Sequence, residues 1–497
     1  MADIVLATMN ARWLHASFGL RCLKGALGPL AQRCVILEST LEHRPIDVVE
    51  SILAQQPRVL GLGVYVWNAA PLLEVVRSLK KLRPELVIVV GGPEVSHESE
   101  AQELCARADH VIVGEGELAF AAVCARVLGS TTSAPSLALV PGKVLQGGKP
   151  DLQTLPMPYS LYDDVDIRDR VVYVEASRGC PFTCSFCLSA LDDGVRTFPL
   201  EAFLDELSAL YQRGLRRFKF VDRTFNLKID DATRILDFFL ERVQHEPLFV
   251  HFEMIPDRLP TALRERLARF PPGSVQLEVG IQTFDDDTCA RISRRQDRAR
   301  LEDNLRFLAQ HTGVHVHADL IAGLPGEDLA SFGRGFDKLL ALGPQEIQIG
   351  ILKRLRGAPL NRDAALHPEW GLLFDESPPY TILQTSALSF SDVQRIARFA
   401  RAFDLVANSG RFPKTSRLLL GHQPFARFLA FSDWLFAQTG ARHGIALARL
   451  AALVKRWLIE VDGAQLEHVD QALQSDLGKD RMPALPKRQA RHAADVS

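Results

Sequence analysis

Short apolar runs alternate with amphipathic segments twice over in this chain, and that alternation constrains the fold more than any other feature. In residues 1–128 the runs are Ile4–Thr8, Val35–Ser39, Val59–Val66, Leu86–Val90 and His110–Val113. They are short and rich in Val and Ile, as strands buried on both faces are. Between them, Pro71–Leu82 puts Leu72, Val75, Val76 and Leu79 on one helical face. The pattern resumes with Val171–Ala176, Arg217–Val221, Phe249–Glu253, Val275–Gly280, His315–Ile321 and Glu346–Leu352. The fold class read from this is α/β: a doubly wound parallel sheet, then a partial (β/α)6 barrel. Six units fall short of the eight that close a full barrel in about 250 residues. The connector, 129–165, contains SLALVPGKVLQGG, which reads as a hairpin, and a Pro-rich crossover. The barrel is assigned to 166–356. After Gly357 the strand signal fades, and helical periodicity over 391–408 and 444–460 predicts a helical domain over 357–475 that caps the barrel mouth. Residues 476–497 hold little apolar content and read as a disordered tail.

Composition bounds the function. The 497 residues are 47% hydrophobic and 24% charged, with a formal net charge of -2. That balance gives no general attraction to nucleic acid or to an anionic membrane. The start, MADIVLATMN, has no basic-then-apolar pattern of a targeting peptide, and no apolar run is long enough for a membrane span. A cytoplasmic protein is expected. Eight cysteines are too few for a disulfide scaffold in a chain this long. Five are scattered (Cys22, Cys34, Cys105, Cys124 and Cys289), and three are clustered.

The cluster carries the chemistry. Cys180, Cys184 and Cys187 have the spacing C-x3-C-x2-C directly after the first predicted barrel strand. Three thiolates on one loop suit a [4Fe–4S] cluster with one iron lacking a protein ligand. A structural zinc site wants four ligands, and the next cysteine, Cys289, lies on another strand–helix unit.

The segment CPFTCSFC, with Phe186 before the last cysteine, resembles the signature of the radical S-adenosylmethionine (SAM) superfamily. In that family the open iron chelates SAM, whose reductive cleavage gives a 5′-deoxyadenosyl radical. The resemblance extends downstream. VDRTFN, headed by Asp222, looks like the second-strand motif near the SAM amino group. HFEM puts Glu253 at a strand end, and LEVGIQTFDD resembles the fifth-strand segment, with Glu278, Gly280 and Gln282 near the adenosyl ribose. LIAGLPGED resembles the sixth-strand glycine turn by the adenine, which contains Gly323. An electron donor such as flavodoxin or ferredoxin is implied. His315 and His317 share a strand face and read as ordinary barrel histidines rather than a metal pair. Arg291, Arg294, Arg295, Arg298 and Arg300 read as a solvated helix face.

The N-terminal sheet resembles the cobalamin-binding domains fused to radical SAM barrels. GLG at 61–63 lacks the third glycine of a dinucleotide fingerprint. The resemblance instead places GGP (Gly91, Gly92, Pro93) and GEGE (Gly114, Glu115, Gly116, Glu117) at the fourth and fifth strand termini, where glycines admit a bulky ligand tail. It implies that Ser96, Glu115 and Glu117 contact the tail, and that Tyr65 and Trp67 offer flat faces to the corrin. The family's D-x-H-x-x-G motif is broken: His15 has no Asp two residues before it, and the next glycine is four residues on, at Gly19. Base-off cobalamin without a histidine ligand is therefore expected.

The leading function is cobalamin-dependent radical SAM methyl transfer to an unactivated carbon or a phosphinate phosphorus of a small molecule or peptide. Alternatives are a cyclisation, ring contraction or oxidation with the same cofactors, a tRNA methylthiotransferase, or a cobalamin sensor. The scattered N-terminal cysteines lack a methylthiotransferase spacing, and the intact triplet argues against a sensor.

Overall fold

The computed structural model describes residues 1–129 and 142–478. The first sheet contains β1 (Ile4–Asn10), β2 (Cys34–Thr40), β3 (Val59–Gly63), β4 (Val87–Gly91), β5 (His110–Val113) and β6 (Val144–Gln146). Its order is β2-β1-β3-β4-β5-β6, and every pair is parallel. Helices Pro45–Leu53 and Ala69–Leu82 bury one face, through Val49, Ile52, Leu72 and Val76. Helices Phe18–Gly25 and Glu117–Leu128 bury the other, through Leu20, Phe120 and Val123. Of the expected connector hairpin, the second arm is described around Val144. That run joins the sheet as a sixth parallel strand, because its backbone finds the open edge of β5. The rest of the predicted hairpin lies largely outside the described residues.

The second sheet contains β7 (Val172–Val174), then, after an antiparallel hairpin of β8 (Ser177–Cys180) and β9 (Gly194–Thr197), β10 (Arg217–Phe220), β11 (Phe249–Met254), β12 (Val275–Gln282), β13 (His315–Ala322) and β14 (Glu346–Ile351). The six parallel strands run in the order β14-β13-β12-β11-β10-β7. Each is a half-buried alternation. In β12, Val275, Leu277, Val279 and Ile281 are buried, while Gln276, Glu278, Gly280 and Gln282 are less so. Period-two alternation puts one set against the helices and the other inside the barrel. On the helix side Phe252 is fully buried, stacked on Phe225 with ring centroids 3.8 Å apart.

The barrel interior is polar and paired. His317 lies 3.1 Å from Glu346 and 3.2 Å from Asp319, and His315 lies 3.3 Å from Glu346. Burial opposes the imidazolium, but hydrogen bonds to Asp319 and Glu346 outweigh it and push His317 up to about 10. His315 and His317 together hold Glu346 down to about 2. A raised cation stabilises fully below its unfolded value and loses that contribution as pH rises through its folded one. The difference in melting temperature between the parent and His317→Gln is therefore expected to be largest near pH 5–6 and to shrink toward pH 10. A difference that grows with pH would refute a charged His317.

The C-terminal region carries β15 (Leu373–Phe374) and β16 (Ile382–Gln384) and helices Phe390–Phe403, Thr415–Leu420, Pro424–Thr439, Leu447–Arg456 and Leu466–Leu477. Its first residues reach the barrel mouth, where Leu360 N–H donates to the Ser185 carbonyl of the cysteine loop at 2.7 Å and Ile382 abuts Gly323, while its helices pack on the wall. Phe399, Phe403 and Phe425 pack around Phe336 of helix Leu329–Ala341 on the barrel's outer wall. Asn408 brackets the edge strand β14, donating to the Ile347 carbonyl at 2.9 Å and accepting from its N–H at 3.2 Å. Of the predicted tail, residues 476 and 477 end the last helix, and residues 479–497 lie outside the described residues. Among the described residues, no helix is long and apolar enough to cross a membrane.

Candidate functional site

Two cavities open at the carboxyl ends of the two parallel sheets, where ligands of such sheets bind. The barrel cavity, about 230 Å³, is lined by Cys180, Cys184, Cys187, Glu253, Glu278 and Gln282 among others. The cysteine loop is held by backbone: Ser185 N–H donates to Ile292 at 2.9 Å, and Leu360 N–H to Ser185 at 2.7 Å. Arg294 bridges the Gly280 carbonyl and the Cys184 sulfur, the latter at 3.3 Å. Among the described residues, no group of three His, Cys, Asp or Glu side chains closes on a single ion.

Three of the residues implied for SAM stand in this cavity. Gln282 sits beyond a bulge that breaks the β12–β13 register, with φ of 71°, a left-handed conformation that turns its side chain toward the cysteines' cavity. Glu278 lies 3.1 Å from His251, and burial is outweighed by that contact, so its carboxyl stays below its ordinary value. Burial pushes Glu253 up, against the pull of Arg223 3.5 Å away.

Asp222 and Gly323 stand outside the lining of this cavity. The Asp222 carboxylate is buried beneath the strand ends, accepting from Ala176 N–H at 3.0 Å and from Ser177 Oγ at 2.5 Å, and it does not line the barrel cavity. Burial pushes it up to about 6. Gly323 turns with φ of 93°, but the space a Cβ would need is filled by Ile382 of the C-terminal region, 2.6 Å away. Of the arginine run, Arg294 and Arg295 line the barrel cavity, while Arg300, 76% exposed, lies on a solvated face.

The second cavity, about 460 Å³, lies over the first sheet and is lined by Gly91, Gly92, Gly114, Gly116, Glu115, Glu117 and Tyr65. A Cβ on Gly92 would meet the Val64 carbonyl at 2.5 Å, and one on Gly61 would meet Leu6 and Phe120 at 2.7 Å. Larger residues would therefore fill this cradle or distort it. Tyr65 stacks on Trp67 with centroids 4.5 Å apart, but Trp67 itself is half-exposed and outside the cavity wall. Ser96 does not face the cavity either: its hydroxyl accepts from Gly114 N–H at 3.2 Å and donates to the Gly92 carbonyl at 2.9 Å, tying the two glycine turns together. His15 also stands aside, its Nδ1 2.6 Å from the Tyr173 hydroxyl.

Glu115 and Glu117 have partners of their own. Arg178, two residues before Cys180, lies 2.7 Å from Glu115, 2.8 Å from Glu117 and 2.9 Å from Glu175. Arg196, on the other strand of the hairpin, also pairs with Glu115. The cysteine loop is thus tied to the glycine turns of the first domain. Burial pushes Glu175 up to about 7 despite Arg178. Sequence reasoning missed Arg178, Glu175 and Arg223. Three carboxylates buried close together need a cation among them, but only the fold brings Glu115 and Glu117 to Glu175 and Arg178.

Comparison with known proteins agrees with this geometry. Residues 4–124 match the B12 binding domain, 174–338 the Radical SAM superfamily, and 368–489 a family described as a protein of unknown function (DUF4080). Cobalamin-dependent radical SAM methyltransferase TokK of Streptomyces tokunonensis is 27% identical over 374 residues, 66% of this chain and 51% of that protein. The 2-(S-pantetheinyl)-carbapenam-3-carboxylate methyltransferase of Streptantibioticus cattleyicolor is 25% identical over 454 residues, 82% of this chain and 65% of that protein. The chain thus spans about half to two-thirds of the length of these relatives. Among solved structures, the methyltransferase TsrM from Kitasatospora setae, with cobalamin and [4Fe-4S] cluster bound, aligns at a TM-score of 0.62 and 16% identity, covering 96% of this chain and 99% of TsrM. The cobalamin-dependent enzyme OxsB aligns at 0.64 and 13% identity, covering 97% of this chain and 82% of OxsB. Those two likenesses speak for the fold. With its thiol triplet at the end of the first barrel strand and its glycine cradle over the first sheet, the chain carries a B12 binding domain followed by a Radical SAM superfamily domain.

Proposed function

We propose that the chain transfers a methyl group to an unactivated centre of a small molecule or peptide, using a [4Fe–4S] cluster, SAM and cobalamin. The observation that carries this reading is the meeting of the two cavities at one residue, Arg223, which lines both. Bound there, the cluster with SAM supplies radical chemistry and cobalamin supplies a methyl carrier. The chain's own part is to hold and to orient. Cys180, Cys184 and Cys187 are the thiol donors of the barrel cavity, and Gly91, Gly92, Gly114 and Gly116 leave room for a bulky ligand beside it. Glu253, Glu278 and Gln282 offer the cavity acceptors for a cationic amine and for hydroxyls. We place the reaction in the cytoplasm, with a flavodoxin or ferredoxin as electron donor.

The test is anaerobic incubation of the cofactor-loaded chain with methyl-labelled SAM and a small-molecule extract. Labelled product together with 5′-deoxyadenosine is the expected result. Formation of 5′-deoxyadenosine with no labelled product moves the chain to the non-methylating alternatives. Neither product overturns the radical reading.

Glu253→Ala tests the cavity directly. Removing one partner of a buried charge-assisted contact costs about 2–5 kcal/mol. SAM affinity is therefore expected to weaken by at least roughly tenfold, with cluster absorbance unchanged. Unchanged affinity would leave Glu253 as a partner of Arg223 alone.

A further inference from the structure

Arg223 stands where the two cavities join, and its guanidinium is left nearly unused. The loop that carries it is fixed on both sides: Asp222 is anchored by Ala176 and Ser177, and Phe225 N–H donates to the Glu253 carbonyl at 3.0 Å. The side chain is nonetheless 56% exposed, although it stands between two domains. Among the described residues its one ion pair, to Glu253, is long at 3.5 Å. Arg178, which shares the second cavity, has three carboxylates around it. Arg294, which shares the first, is taken by Gly280 and Cys184. A guanidinium offers five donors in a fork that matches an oxyanion.

We infer that Arg223 is the anion-recognition residue of the chamber and that the substrate carries an oxyanion group, a carboxylate or a phosphate, that docks on it. The inference rests on the function proposed above and names its substrate class. An oxyanion on Arg223 would hold the rest of the molecule across the junction, in reach of both cavities. The nearby carboxylates Glu253, Glu278 and Asp319 repel a second anion, so that the fork of Arg223 sets a single anchor point.

The arginine-selective reagent phenylglyoxal tests this on the full chain, held anaerobic and loaded with its cofactors and saturating SAM. Modification is mapped by mass spectrometry, with Arg362, 77% exposed, as internal reference. Acetate in one arm, or inorganic phosphate in the other, is expected to slow modification of Arg223 at least roughly threefold relative to Arg362, since charge-assisted fork contacts are the strong ones. Protection by acetate alone points to a carboxylate, and by phosphate alone to a phosphorylated substrate. Arg223→Gln is expected to keep its SAM affinity within about twofold, less than one decade and so less than one lost charged contact. Equal modification of Arg223 with and without both anions overturns the inference. So does a tenfold or larger loss of SAM affinity in Arg223→Gln, about 1.4 kcal/mol, which would assign Arg223 to the SAM carboxylate. A chain that takes up neither cluster nor cobalamin fails the underlying function instead, and absorbance of the same sample distinguishes the two failures.

Discussion

Replacing Cys180, Cys184 and Cys187 together by alanine is expected to take iron, after anaerobic reconstitution, from about four per chain to background. Cluster absorbance and 5′-deoxyadenosine formation are lost with it. No other thiol can stand in. Cys22, Cys34, Cys105 and Cys124 are buried in the first domain, and burial pushes Cys34 up to about 12 and Cys105 to about 11, away from the thiolate that binds iron. Cys289 is buried on the far side of the loop, in the neighbouring wall that does not face the triplet's cavity. The fold should survive, because the loop is held by backbone contacts from Ile292 and Leu360 rather than by the sulfurs. Iron analysis and far-ultraviolet circular dichroism on one preparation check both halves. Unchanged iron would sink the assignment.

Arg178→Ala has the second-largest expected effect, and it falls on stability. The substitution removes the cation from among Glu115, Glu117 and Glu175, whose side chains are only 24%, 6% and 12% exposed. Breaking a buried ion pair from one side costs about 3–5 kcal/mol, because the remaining charges stay buried without compensation. Arg196 still reaches Glu115, so the loss concentrates on Glu117 and Glu175. Glu175, already pushed up to about 7, is expected to protonate, which makes the variant's deficit smaller at low pH. Urea unfolding of the full chain at pH 5.5 and pH 8 measures both. A loss below about 1 kcal/mol would mean that the cluster behaves like a surface salt bridge.

Much of this was legible in the sequence. The eleven predicted strands all form, each within a few residues of its expected bounds, because Val- and Ile-rich runs bounded by turn residues carry a strong local signal. The thiol triplet, Glu253, Glu278 and Gln282 share one cavity, since each sits on a loop or strand end whose position the barrel dictates. What was not legible depends on partners distant in sequence. The pairing of β6 was not legible because three residues find a partner only once β5 supplies an edge. Nor does a carboxylate at a strand end, such as Asp222, announce that Ala176 and Ser177 donate to both its oxygens. Glu115 and Glu117 line the second cavity as well, but their arginine partners lie more than sixty positions away, beyond any local pattern.

The sixth strand also decides where the chain can be cut. A fragment ending at residue 128 looks complete by its helices, yet it would leave the N–H and C=O groups of β5 bare along one side. A bare edge of that kind templates pairing between copies, so such a fragment would precipitate or assemble into mixed oligomers on expression. Gly147 belongs to the same seal: its N–H donates to the Val113 carbonyl at 2.8 Å, and a side chain there would collide with the Glu115 backbone. Residues 144–147 therefore belong with the first sheet, and so do Asp166 and Arg170, whose buried ion pairs with Arg21 and Glu38 would be broken by a cut made before them.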